Sequence, residues 1–161
     1  MDTREKILSR AGLHEVLEEH RRAGRKIVFA HGVFDMLHAG HIRYLAAARR
    51  EGDLLIVAVH SDSSAKELKG PGRPLLTERA RAVLVAALGV VDYVVVFDET
   101  DLKSLLSEFR PDVYACGPAN AVRSCFDGEA GALGIRLAVA GGESSHSTSA
   151  LIARVRREMN G

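Results

Sequence analysis

The chain has 161 residues, 47% of them hydrophobic and 27% charged, with 22 basic and 21 acidic side chains giving a formal net charge of +1. This is the balance of one soluble globular domain with a core of ordinary size, and it argues against a disordered or fibrous chain. A charge so near zero gives no support to nucleic acid as a partner, though a local positive cleft for a small phosphate ligand remains compatible with it.

Residues 4–22 place Ile7, Leu8, Ala11, Leu13, Val16 and Leu17 among charged residues at helical spacing. Ile27-Val28-Phe29-Ala30 is too short for a helix and reads as a buried strand ending at His31-Gly32. The alternation then repeats. A helix is predicted over 42–50, a strand over 54–59, and a short helix capped by Ser61 and Asp62. The stretch from Lys69 to Pro74 (KGPGRP) must be a loop. A helix over 77–88, a strand over 90–97, a helix over 101–109 and a strand over 113–115 follow. Residues 117–131 carry no clear pattern. A fifth strand over 135–140 and an amphipathic helix over 148–159 complete the chain.

Strands apolar throughout, alternating with helices of about ten residues, point to a parallel sheet covered on both faces. The expected architecture is therefore α/β: a single Rossmann-like, doubly wound domain over 1–161, with a five-stranded parallel sheet and an N-terminal helical extension over 1–25. Ligands of such sheets sit beyond the carboxyl ends of the strands. The opening MDTREKILSR is charged, without the apolar core of a signal peptide, and no apolar run approaches the ~20 residues that span a bilayer. Cys116 and Cys125 fit neither a zinc pair nor a redox CxxC. A cytoplasmic protein with no membrane partner and free thiols is expected.

The segment from Gly32 to His41 (GVFDMLHAGH) lies between the first strand of the alternating series and its helix, where helix N–H groups and dipole favour an anion. Gly32 and Gly40 allow close backbone approach. His38 and His41, three apart at a helix start, can face one side and donate hydrogen bonds to phosphate oxygens as charge builds. The dinucleotide GxGxxG and the Walker signature are both absent from this turn, which disfavours a redox or dinucleotide-binding module. A zinc HExxH is absent too. The plainer alternative is that one histidine caps the helix while the other is solvated.

GVFDMLHAGH resembles the signature of the HxGH nucleotidyltransferases, in their cytidylyltransferase-like branch, and the similarity runs from about Lys26 to Ala153. The segments HSDSSAKELKGPGRP, ERARAVLVAALGVVDYVVVFDE and STSALI look most like bacterial heptose-1-phosphate adenylyltransferases. Glycerol-3-phosphate cytidylyltransferases are similar as well. The resemblance implies transfer of a nucleoside monophosphate from a nucleoside triphosphate to a phosphorylated small-molecule acceptor, with Mg²⁺ carried by the nucleotide rather than by protein ligands.

Residue by residue, the resemblance implies that His38 and His41 contact the nucleotide phosphates, and that Lys69, in the KGPGRP loop, binds phosphate as well. Gly32, Val33, Phe34 and Gly40 would lie beside the nucleotide, with Arg81 near the phosphates; a pairing of exposed Arg81 with Glu78 is the competing reading. Ser147, Thr148 and Ser149 would hold the β- and γ-phosphates, a role compatible with capping the last helix. Asp35, Asp62, Arg73, Gly117 and Asn120 are weaker candidates for substrate selectivity. A homodimer is also implied. The chain departs from the heptose group at His31 and His60, where relatives usually carry Asn, and at residues 115–120 (ACGPAN), where they commonly read KGGDY. A CTP-dependent enzyme for glycerol 3-phosphate, a GTP-dependent sugar-phosphate enzyme and a nucleotide-binding protein without turnover therefore stay open.

Overall fold

The computed structural model describes residues 2–98, 102–117 and 127–141. In chain order the elements are β1 (Ile7–Leu8), α1 (Arg10–Arg22), β2 (Ile27–Gly32), α2 (Ala39–Arg49), β3 (Leu54–His60), α3 (Asp62–Lys69), α4 (Glu78–Ala86), β4 (Tyr93–Phe97), α5 (Leu102–Phe109), β5 (Val113–Cys116), α6 (Asp127–Ala132) and β6 (Arg136–Val139). All strand pairings are parallel, in the order β1-β4-β3-β2-β5-β6.

The sheet thus has six strands where five are expected. The additional one comes from the N-terminal segment: Ile7 and Leu8 pair with Val94 and Val95 at the sheet edge, and Ser9 stops them from joining the helix by accepting the Gly12 N–H as N-cap. An apolar pair of two residues satisfies helical and strand patterns equally, so periodicity alone absorbed it into the helix over 4–22. Beyond Ser9, α1 buries Leu13 and Leu17 completely, so this segment adds a strand and a helix to the same sheet.

Two cores flank the sheet. Leu13 and Leu17 of α1, Leu105, Leu106 and Phe109 of α5 and Ala130 of α6 cover one face, against Phe29, Ile56, Phe97 and Tyr114. Leu45 and Ala48 of α2 with Ala82, Val85 and Ala86 of α4 cover the other, against Val28, Ala30, Leu55, Val57 and Val59. All seven residues of β3 are buried, as a central strand clad on both faces requires. Among the described residues no helix is long and apolar enough to cross a membrane. The unassigned stretch 117–131 contributes the short α6, and the predicted helix over 148–159 lies outside the described residues.

From β2 the chain winds through β3 to β4 on one side, then returns to place β5 on the other side of β2. The order reverses between β2 and β5, which is where a ligand crevice forms in such sheets. The two strands pair only at Val28–Val113 and Phe29–Tyr114, whereas β2 follows β3 through Gly32–Val59. Past Phe29, β2 and β5 part.

Candidate active site

The turn after β2 is tight and strongly anchored. Phe34 takes a left-handed conformation (φ 52°) while almost fully buried, and a Cβ on Gly32 would meet its ring at 3.0 Å. Glycine at 32 is therefore a packing requirement of the turn. Asp35, 2% exposed, accepts hydrogen bonds at Oδ1 from the backbone N–H groups of Leu75 and Leu76. Its Oδ2 lies 2.6 Å from Arg73 Nε without the N–H pointing at it, a charge contact more than a directed bond. Asp35 and Arg73, read from sequence as selectivity residues, thus hold each other, and together they fasten the loop after α3 to the turn after β2.

His38 is the N-cap of α2: its Nδ1 accepts from the Gly40 N–H at 3.1 Å. With Nδ1 accepting, a neutral ring carries its proton on Nε2, which leaves that nitrogen as a donor. The His41 ring stacks on it, with centroids 3.8 Å apart and planes 25° from parallel, and its edge meets Phe34. Burial, the His38 ring and Lys69 push the His41 pKa down to about 4, against a contribution from the Met36 carbonyl that favours the proton. Nδ1 of His41 is buried with no hydrogen-bond partner among the described residues. A buried polar atom without a partner is costly, and a ligand oxygen would satisfy it once Nδ1 carries a proton. His38 thus caps the helix, and the second ring is stacked on the first rather than solvated on its own.

Lys69 is exposed and belongs to the last turn of α3 rather than to the loop, which begins at Gly70 (φ 87°). Its charge depresses both His41 and His60, which puts the α3 terminus within electrostatic range of the α2 start and of the end of β3.

Arg81 corrects an expectation. It is completely buried, not an exposed partner of Glu78. Nε donates to the Leu76 carbonyl (3.0 Å), Nη1 to the Val33 and His60 carbonyls (2.7 and 2.6 Å), and Nη2 to Asp62 Oδ1 (2.7 Å). One guanidinium thereby joins the turn, β3, α3 and the loop, so it supports the site from behind. Asp62, in turn, is engaged by Arg81. Gly117 has open space around it. Ser147, Thr148, Ser149 and Asn120 lie outside the described residues.

Sequence reasoning gave no role to a chain of polar side chains beneath the crevice. Ser64 Oγ meets His60 Nδ1 (2.7 Å), His60 Nε2 meets His31 Nδ1 (3.3 Å), and His31 Nε2 meets the Tyr114 hydroxyl (2.9 Å). Burial is the main cause lowering His31 to about 4 and His60 to about 3, the latter also through His31, Arg81 and Lys69. Both rings are neutral and use both nitrogens, which crosslinks the ends of β3, β2 and β5.

The profile of the cytidylyltransferase-like family matches residues 29–139. The chain belongs to the cytidylyltransferase-like family. The match embraces the turn, both histidines, Lys69 and Arg81, and leaves β1 and α1 outside. Among relatives, the bifunctional protein HldE of Syntrophotalea carbinolica is 51% identical over 112 residues, 70% of this chain and 23% of that protein. HldE of Helicobacter pylori is 44% identical over 158 residues, 98% of this chain and 33% of that protein. The chain therefore spans a third or less of the length of these relatives. A crystal structure of a lipopolysaccharide core biosynthesis protein from Thermoplasma volcanium shares 31% identity at a TM-score of 0.64, over 75% of this chain and all of that one. Pantoate-beta-alanine ligase from Francisella tularensis superimposes with a TM-score of 0.62 at 14% identity, over 89% of this chain and 68% of that one, a likeness of fold alone.

Proposed function

We propose that this chain transfers AMP from ATP to a sugar 1-phosphate, a heptose 1-phosphate, and releases pyrophosphate. The observation that carries the reading is the stacked His38–His41 pair at the start of α2, with an unpartnered nitrogen and Lys69 within electrostatic range. Family membership and the similarity to HldE and to a lipopolysaccharide core biosynthesis protein support it.

In this reading an oxygen of the acceptor phosphate attacks the α-phosphorus of the triphosphate. The new P–O bond forms as the bond to the β-phosphate breaks, and pyrophosphate leaves. Such transfer depends on in-line placement and charge neutralisation, and needs no covalent enzyme intermediate. His38 Nε2–H donates to the phosphates, His41 binds them through Nδ1, and Lys69 neutralises charge. The α2 N-terminus adds its dipole. Ser147, Thr148 and Ser149 would take the β- and γ-phosphates.

In this reading Mg²⁺ comes with the triphosphate, and the nearby Asp35 is committed to the Leu75 and Leu76 N–H groups and to the charge of Arg73. The ion would supply charge screening on the phosphates. A homodimer in the cytoplasm completes the reading.

The family's description, which names the cytidylyl group and no acceptor, keeps a second assignment of the same chemistry in view, CTP with glycerol 3-phosphate or another phosphorylated alcohol. Pyrophosphate release with Mg²⁺, crossing ATP, CTP and GTP against heptose 1-phosphate and glycerol 3-phosphate, separates the two. A signal for ATP with heptose 1-phosphate is expected. A signal for CTP with glycerol 3-phosphate transfers the assignment, and silence throughout with intact nucleotide binding points to a binding protein.

A further inference from the structure

Tyr44 lies one helical turn beyond His41 on α2, on the face directed at the sheet. Its hydroxyl donates to the Ala115 carbonyl at 2.8 Å. It also faces the backbone N–H of His31, which favours the phenolate against the stronger effect of burial. Ala115 is one residue and His31 two residues past the last β2–β5 pairs, Val28–Val113 and Phe29–Tyr114. The hydroxyl therefore takes an acceptor that the next ladder step would have used, on the side of the His31 N–H, as the strands part. Buried backbone groups need such a substitute partner. The opposite side of the same residue is equally confined: a Cβ on Gly141 would come within 3.2 Å of the Tyr44 Cα.

We propose that Tyr44 is a positioning residue for the histidine pair, fixing the first turns of α2 against the parted ends of β2 and β5. The inference rests on the nucleotidyl-transfer reading for its kinetic consequence, but its geometric part concerns only the rings of His38 and His41. These rings stack and point according to where the α2 start lies, and beside the apolar packing of Leu45 and Ala48 the Tyr44 hydroxyl gives that start a directed bond to the strands. Misplacement of reacting groups by about 1 Å can reduce a rate by about 10²-fold. Triphosphate contacts made by the α2 N-terminus, Lys69 and the turn are spread over several elements and are less sensitive to a small tilt.

The test is Tyr44→Phe, which keeps the ring and removes the hydroxyl alone, read by imidazole ¹⁵N resonances and by steady-state kinetics. The expected result is displaced His38 and His41 resonances in the free protein, together with a kcat about tenfold or more below wild type and a KM for the triphosphate within about twofold. Unchanged histidine resonances overturn the proposal, with or without activity. So does a variant whose only change is a lower melting temperature, with normal kcat where it is fully folded. If wild type gives no turnover with any acceptor, the nucleotidyl-transfer reading fails, while the resonances still decide what Tyr44 does.

Discussion

At His41, burial, the His38 ring and Lys69 oppose protonation, and the Met36 carbonyl alone favours it. A bound triphosphate brings several negative charges to the same place, and an anion beside a base raises its pKa. With a free value of about 4, the ring is neutral above pH 5 and gains a proton only when the ligand raises it far enough. Nucleotide binding is thus expected to take up protons between about pH 5 and 6, in proportion to that rise. Calorimetric titration in two buffers of different ionisation enthalpy measures the uptake, which His41→Ala should abolish. Equal heats in both buffers for wild type would show that the nitrogen does not meet the phosphates. The two histidines were legible in the sequence because their spacing and Gly40 identify a helix start after a strand. Their stacking was not, because it depends on the side-chain rotamers within that turn.

At the scale of elements, Arg81 and the His31–His60 pair hold the strand ends on which the turn depends. Arg81→Met removes the donor from three carbonyls and from Asp62 while conserving most of the packing volume. Leaving buried acceptors without partners is expected to destabilise the fold by about 3 kcal/mol. A loss below about 1 kcal/mol in urea denaturation would contradict the bracing role. The helical period contained a signal for this: Arg81 stands one turn before Val85 and beside Ala82, on the stripe that is buried. Charge alone suggested an exposed pairing with Glu78, since arginine is rarely interior unless paired.

The histidine pair has a pH signature. Both folded values lie below 6.5, so the unfolded chain binds protons that the folded one refuses. Their contribution is fully present above pH 6.5 and is lost as the pH falls toward about 4 and 3. Urea midpoints should decline over that window in wild type, and decline less in a His31→Gln, His60→Gln double variant. Parallel curves would show that other groups dominate. The pairing was invisible in the sequence because residues 29 apart meet only through β2–β3 register.

For the whole molecule, the alternation of apolar strands and helices specified the parallel sheet and its two covered faces, since that pattern has few other solutions. The strand order needs long-range pairing information that periodicity does not contain, so the β2–β5 reversal and its crevice emerge only from the assembled sheet. The same holds for Asp35, whose partners Arg73, Leu75 and Leu76 are about forty residues away, and for β1, which is too short to announce itself. What the assembled fold adds is an arrangement in which Arg81 and Asp35 tie the turn to β3, α3 and the loop after it, while Tyr44 ties α2 to β5.

The central claim is that the His38–His41 pair stabilises charge in nucleotidyl transfer. Its most direct test is the rate of pyrophosphate release from ATP with heptose 1-phosphate by wild type, His38→Ala and His41→Ala under saturating conditions. Each variant should keep the wild-type melting profile and lose a factor on the order of 10² or more in kcat, as when a charge-stabilising donor is removed. Full activity in either folded variant would contradict the account.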